Sequence, residues 1–234
     1  MAEKRVSVRL AAVGGDRVKA EFEGIGKAGR RGFRKVSREA EIANAKLARF
    51  VRRASIAAGI KPRDAVRALA EAPQVPGRME KVGSRDGASV FVDYAHTPDA
   101  LVNAIAALRE SSPRRLITVF GCGGDRDVTK RPLMGKAAAE GSDYCIVTSD
   151  NPRSEDPETI IADVEKGMVG KRYESIPDRM KAIQTAVNLS GEGDIILIAG
   201  KGHEPYQEIA GNRIEFDDRR AAYKALNFKS TTDE

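Results

Sequence analysis

The sequence has no tryptophan, two cysteines and two histidines. Cys122 and Cys145 form neither a metal-ligand spacing nor a disulfide framework, so no metal site is expected and free thiols point to a reducing cytoplasm. Long apolar runs are also lacking. A stretch such as Ile195 to Ala199 is far shorter than the roughly 20 residues a membrane helix needs, which excludes a membrane span. The opening residues MAEKRVSVRL carry no apolar core of a secretory signal. Aromatics are scarce at 5%. The first 85 residues contain only Phe22, Phe33 and Phe50. No stacking platform for single-stranded nucleic acid is available there, and nucleic acid is not expected as a partner. Finally, no G-x-x-x-x-G-K-[ST] phosphate loop occurs anywhere in the sequence.

What is present is ordinary globular composition: 234 residues, 41% hydrophobic and 32% charged. That is room for one large domain or two small ones. Charge is unevenly spread. Residues 1–85 hold 21 Lys and Arg against 9 Asp and Glu, and the remainder holds 19 against 25. A basic half of this kind suits anionic nucleotides or a solvated face.

The front of the chain reads as a hairpin over 4–23 around Gly14-Gly15, a Gly- and Arg-rich stretch, a helix over 37–58 and a second helix over 62–72 opened by Pro62. Pro73 and Pro76 close this region, and the domain boundary is placed at Gly77, giving domains 1–77 and 78–234. Beyond it strands and helices alternate. Strands are expected at 89–93, 115–121, 144–149, 172–176 and 194–200, with helices at 98–109, 131–140, 157–167 and 177–189. A final strand pair at 206–209 and 213–216 leads into a helix at 217–227. Near-continuous apolar strands between amphipathic helices predict an α/β, Rossmann-like, mostly parallel sheet with helices on both faces, its last strands possibly antiparallel.

In such sheets ligands bind beyond the carboxyl ends of the strands. The polar signatures fall there: DYAHTP after 89–93, GCGGDRD after 115–121, SDNPR after 144–149 and GKGHE after 194–200. Asp93 is suited to accept from ribose hydroxyls or to cap the helix at 98–109, where Thr97 is the better-placed cap. His96 is suited to phosphate or water, or to a loop hydrogen bond. The glycines of GCGG free backbone N–H groups for an anion, or simply make a turn. Arg126 offers a planar fork to a carboxylate, or pairs with Asp125 or Asp127. Pro152 stiffens the turn that sets up Arg153, whose alternative partners are acids such as Asp150 or Glu155. Asp150 and Asn151 add acceptors, Gly200 permits close backbone approach, and Glu204 can receive an ammonium. Two arginines and two carboxylates at one edge suit a zwitterionic substrate.

DYAHTPDAL (93–101), FGCGGDRDVTKRPLMG (120–135), TSDNPRSEDP (148–157) and AGKGHEPYQEI (199–209) closely resemble the Mur ligases, in order and spacing, over about 75–228. VPGRME (75–80) resembles that family's hinge between central and C-terminal domains. The resemblance implies an ATP- and Mg2+-dependent amide-bond ligase of cell-wall precursor synthesis. It implies that Arg126, Asp150, Asn151, Pro152, Arg153, Gly200 and Glu204 hold the amino acid. Arg78 and Asp93 would touch the ATP ribose and His96, the catalytic candidate, would lie near the phosphates. DNPR resembles the type that adds meso-diaminopimelate to UDP-N-acetylmuramoyl-L-alanyl-D-glutamate, because Arg153 can grip a distal carboxylate that lysine lacks. Residues 1–77 then correspond to a remnant of the central ATPase domain. There Asn44 corresponds to an adenine-side Asn, while Leu47 stands where a second Asn is expected. Without a phosphate loop, and without a front domain for the UDP-sugar, the chain reads as a C-terminal piece of such a ligase. It is expected to bind amino acid weakly and to catalyse nothing alone. The alternatives are a lysine-adding relative, which DNPR disfavours, and a stand-alone amino-acid or nucleotide-binding module.

Overall fold

The structure, a computed structural model, describes residues 59–61, 64, 67 and 73–227. The hairpin expected over 4–23, the helix over 37–58, most of that over 62–72, and Asn44 lie outside the described residues. The chain divides at Gln74/Val75 into two units, and the second, Val75–Glu234, holds the elements below.

Its elements are β1 (Glu80–Arg85), β2 (Ala88–Asp93), α1 (Pro98–Arg109), β3 (Leu116–Phe120), α2 (Lys130–Gly141), β4 (Tyr144–Val147), α3 (Pro157–Glu165) and β5 (Tyr173–Ser175). After these come α4 (Arg179–Leu189), β6 (Ile195–Ala199), β7 (Tyr206–Ile209), β8 (Asn212–Glu215) and α5 (Asp218–Asn227). Six strands form one sheet in the order β1-β2-β6-β3-β4-β5. All neighbours in it are parallel except β1 with β2. Strands β7 and β8 form a separate antiparallel hairpin.

Alternation along the strands sorts the core into two layers. Leu116, Phe120, Cys145, Val147, Ile195 and Leu197 pack with Leu101, Ile105 and Leu108 of α1, Met134 of α2, and Ile160 and Val164 of α3. Ile117, Val119, Ile146, Ile196 and Ile198 face the other way, onto Ala182, Ile183 and Val187 of α4 and Ala221, Ala222 and Ala225 of α5. Burial on both faces is why these strands are apolar throughout rather than alternating. Thr97 caps α1, accepting from the Ala100 N–H, as expected in preference to Asp93.

Strand β1 is a departure from the expectation, since the VPGRME segment and its continuation read only as a hinge. EKVGSR is short, charged and half exposed, and its register with β2 slips between Lys81 and Gly83. An edge strand protected by charge and a bulge carries little hydrophobic signal. Among the described residues no helix is long and apolar enough to cross a membrane.

Candidate functional site

The parallel strands bring their carboxyl ends into line. Asp93 of β2 pairs with Ala199 of β6, Val119 of β3 with Ile198, and Phe120 with Val147 of β4. The four polar loops therefore leave one edge of the sheet. Beneath them lies a buried ion pair. Arg179, at the start of α4, forks onto Asp218 of α5, with Nε to Oδ1 and Nη2 to Oδ2 both 2.7 Å. The same guanidinium donates to the Ser149 carbonyl at 3.2 Å and the Ala199 carbonyl at 3.0 Å. Both side chains are fully buried. A bidentate pair whose guanidinium also bonds two backbone carbonyls is the arrangement in which burying two charges is tolerable. It ties the ends of β4 and β6 to the starts of α4 and α5.

Above this clamp the SDNPR and GKGHE loops interlock. Asn151 Oδ1 accepts from Lys201 Nζ at 2.9 Å and from the Glu208 N–H at 3.0 Å. Its Nδ2 donates to Glu204 Oε2 at 3.0 Å. Glu204 also accepts from Lys201 at 3.3 Å and from the Tyr94 hydroxyl at 3.2 Å. Burial would raise the Glu204 carboxyl, but Lys201, Asn151 and Tyr94 outweigh it and hold it below the usual carboxylate range. Asp150 goes the other way. Burial pushes its carboxyl up against the pull of Arg179 and Lys201. Gly200, at φ +118°, lets the chain pass Asp150, since a Cβ there would sit 2.6 Å from Oδ2. Gln207 holds the Asp150 carbonyl at 2.8 Å.

The GCGGDRD loop is stapled to SDNPR. A Cβ on Gly121 would stand 2.1 Å from the Thr148 carbonyl, and one on Gly124 would stand 2.0 Å from that of Pro152. The Gly124 N–H donates to the Asn151 carbonyl at 2.9 Å. Gly121 and Gly124 serve backbone approach within the protein, and the Gly124 N–H is already committed to Asn151. Arg153, at φ 54°, runs beside β7–β8, donating its N–H to the Glu208 carbonyl at 2.9 Å. Its guanidinium donates to the Gly124 carbonyl at 2.7 Å and lies 3.8 Å from the Glu208 carboxylate. Its acidic neighbour is thus Glu208, not Asp150 or Glu155. Glu155 is taken by Arg131, both contacts 2.8 Å, and Arg131 also reaches Asp163 at 3.0 Å. Arg126 is exposed and donates to the Asp125 carbonyl at 3.2 Å, so its contact is with backbone rather than with the Asp125 or Asp127 carboxylate. Arg126 and Arg153 flank Gly123, whose added Cβ would meet a guanidinium nitrogen of Arg153 at 2.9 Å and Cγ of Arg126 at 3.8 Å.

The fourth part joins the 75–79 turn to the DYAHTP loop. Asp93 accepts from the Met79 N–H at 2.8 Å, and burial raises its carboxyl despite that bond. Arg78 lies over the Tyr94 ring at 4.7 Å. The His96 ring meets Tyr94 edge-on at 4.6 Å, and His203 lies 5.4 Å away on a tilt. His96 is exposed, with Nδ1 2.8 Å from the Tyr94 carbonyl. A carbonyl only accepts, so Nδ1 carries a proton in this contact. Gly77 makes the turn possible, because a Cβ there would collide with the His203 nitrogen at 2.2 Å.

Two groups of expected residues therefore emerge. Asp150, Asn151, Pro152, Arg153, Gly200 and Glu204 form one cluster, with Arg126 at its rim. Arg78, Asp93 and His96 form another, and the Tyr94–Glu204 hydrogen bond joins them. Sequence reasoning passed over Tyr94, Lys201, Arg131, Arg179, Glu208 and Asp218. Tyr94, Lys201, Arg131 and Glu208 stood inside the quoted stretches, whereas Arg179 and Asp218 carried no local signal. Cys122 and Cys145 are buried, and burial pushes both thiols up to about 12, so neither supplies a thiolate. Among the described residues no group of three or more His, Cys, Asp or Glu is arranged to hold a metal ion.

Comparison with known proteins places this geometry. The UDP-N-acetylmuramoyl-L-alanyl-D-glutamate--2,6-diaminopimelate ligase of Syntrophomonas wolfei is 55% identical over 174 residues, covering 73% of this chain and 36% of that protein. The ligase of the same name from Synechocystis is 54% identical over 171 residues, covering 72% and 34%. A solved structure of a ligase of that name matches with TM-score 0.64 at 45% identity, covering 74% of this chain and 36% of the other. UDP-N-acetylmuramate-alanine ligase from Thermotoga maritima shares the fold at TM-score 0.50 and 22% identity, covering 68% and 34%. The chain thus spans 34% to 36% of the length of these relatives. Residues 77–202 match the family model described as Mur ligase, glutamate ligase domain, and on that match the chain belongs to the Mur ligase family.

Proposed function

We propose that this chain is the amino-acid-binding part of an ATP-dependent amide-bond ligase that adds meso-diaminopimelate to UDP-N-acetylmuramoyl-L-alanyl-D-glutamate in the cytoplasm. The carrying observation is the convergence of Asp150, Asn151, Arg153, Gly200 and Glu204 at one sheet edge, in a chain whose relatives bear the name of that activity. The edge offers an acidic end at Asp150 and Glu204 and a basic end at Arg153 and Arg126. A ligand whose distal carbon, remote from the amine that reacts, carries both an ammonium and a carboxylate satisfies both ends. Lysine, which has no distal carboxylate, leaves Arg153 facing only Glu208.

In a ligase of this kind the γ-phosphoryl group would pass from ATP to the substrate carboxylate, the bond to the bridging oxygen breaking to release ADP. The neutral amine would then form the new C–N bond through a tetrahedral intermediate, lose its proton to solvent, and expel phosphate as the bond from carbon to phosphate oxygen breaks. The contribution of this chain is orientation: fixing the amino acid so that one amine is presented and the other end is held. Arg78 and Asp93 are assigned to the ribose and His96 to the phosphates. No described residue is assigned to Mg2+.

Isothermal titration of the chain with meso-diaminopimelate and with L-lysine tests the reading. The expected result is binding of meso-diaminopimelate at least about tenfold tighter than lysine, a difference of about 1.4 kcal/mol. Equal affinities, or no binding of either, would remove the assignment.

A further inference from the structure

Lys201 has a fully buried side chain. Its ammonium lies 2.9 Å from Asn151 Oδ1 and 3.3 Å from Glu204 Oε2, with the Tyr206 ring 5.4 Å away. A lysine is rarely buried unless its charge is matched, so this one has a specific task. Being inaccessible, it cannot itself meet a ligand. Its two partners, however, are both residues assigned above to the amino acid.

We propose that Lys201 is the positioning residue of the amino-acid site, holding the Asn151 amide and the Glu204 carboxylate in the one arrangement that offers negative charge to a ligand ammonium. This rests on the reading of the edge as an amino-acid site. The amide argument is one of donors and acceptors. Asn151 faces two groups that only donate toward it, Lys201 Nζ and the Glu208 N–H, and one that only accepts, ionised Glu204. A flipped amide would set NH2 against two donors and oxygen against a carboxylate, so Lys201, the Glu208 N–H and Glu204 together fix its orientation, and Lys201 is the one of the three that bonds both Asn151 and Glu204 as a cation. The charge argument concerns Glu204, which faces Lys201, Asn151 and the Tyr94 hydroxyl, with Asp150 and Arg179 in the same cluster. Arg179 is paired with Asp218 and also pulls on Asp150. Lys201 is the cation in contact with Glu204, and two cations set against Asp150, Glu204 and Asp218 leave one acidic group for a ligand ammonium to balance.

The test compares the wild-type chain with Lys201→Met and Lys201→Gln. Carboxyl 13C NMR follows the titration of Glu204 without ligand, side-chain amide exchange follows Asn151, and calorimetry follows meso-diaminopimelate. Both variants are expected to raise the Glu204 midpoint, by at least about one unit, because the cation in direct contact with it, the largest influence opposing burial, is then gone. Lys201→Met should speed exchange of the Asn151 amide and weaken diaminopimelate about 30-fold or more. Lys201→Gln keeps a donor to Asn151 and should lose less, and it carries the midpoint test should the Met variant not fold. A Glu204 midpoint unmoved in the folded variants overturns the proposal, and so does a moved midpoint with affinity unchanged within about twofold, well under the 1.4 kcal/mol of a tenfold change. Should the wild-type chain bind no diaminopimelate while the midpoint moves, the positioning by Lys201 stands and the ligand assignment falls.

Discussion

At Arg153 backbone and side chain do separate jobs. The backbone, at φ 54°, is held against the hairpin by bonds to the Glu208 carbonyl and from the Ala210 N–H. The guanidinium leans on the Gly124 carbonyl and looks across 3.8 Å to Glu208. That ion pair is long and partly exposed, worth about 0–1 kcal/mol, so a ligand carboxylate can displace it. In a full-length ligase bearing this domain, Arg153→Ala should lower kcat/KM for meso-diaminopimelate about 30-fold or more while leaving lysine nearly unchanged. An unaltered ratio of the two substrates would sink the assignment. Asp150 supplies the opposite experiment. Its folded carboxyl is raised by burial, so its stabilising contribution is present below the unfolded value and lost as pH rises through the folded one. Asp150→Asn removes that loss. The variant should be more stable by about 1 kcal/mol at neutral pH, with the gain vanishing below the ordinary carboxylate range. Its affinity for diaminopimelate should fall. Thermal melts at two pH values with parallel calorimetry check both halves, and a less stable variant at neutral pH refutes the account.

The element that decides the site's shape is the turn between β3 and α2. Gly121 and Gly124 let it lie directly on the segment that follows β4, backbone against backbone. At Gly124 a methyl group would meet the Pro152 carbonyl at 2.0 Å, and neither chain can yield, because the Asp125–Ser154 and Arg131–Glu155 bonds clamp both sides. Gly124→Ala should cost about 1–3 kcal/mol by overpacking and weaken amino-acid binding with it. Gly191→Ala is the control, since the nearest atom to its added carbon is a flexible Arg114 nitrogen at 3.4 Å. Equal melting temperatures for the two variants would contradict the close-approach argument. The helices and central strands were legible in the sequence because each buries an apolar stripe or run. Strand β1 was not, because EKVGSR pairs through its backbone and shows charge to solvent.

On the scale of the whole sheet, a second buried charge cluster sits at the end opposite the candidate site. At the amino ends, Asp194 is buried and takes Arg114 at 2.9 Å, Arg115 at 2.6 Å and the Gly191 N–H at 3.0 Å. Burial would raise its carboxyl, but the two arginines and Gly191 more than reverse that and hold it below the usual range. A depressed carboxyl stabilises above its unfolded value and loses that contribution as pH falls through the folded one. Asp194→Ala should therefore cost about 1–3 kcal/mol at neutral pH, with the deficit shrinking in acid, since both arginines are partly solvated and need no buried rescue. Diaminopimelate affinity in the folded variant should match the wild type, and a selective loss of binding would mean that the two ends are coupled.

The sequence by itself determined the α/β class, the sequence of elements from β2 to α5, and the four loops to watch, because hydrophobic periodicity and loop chemistry are local properties of the chain. It also marked Asp150, Asn151, Arg153, Gly200 and Glu204 by residue type within those loops. Only the tertiary structure decided which partner each one takes. Arg153 faces Glu208 from the later hairpin, Asn151 is oriented by Lys201, and the whole edge rests on Arg179 and Asp218, which lie 39 positions apart in the chain. Such pairings follow from strand order and from the register that aligns the strand ends. Both are set by packing the two faces of the sheet at once, and no window of sequence contains that information.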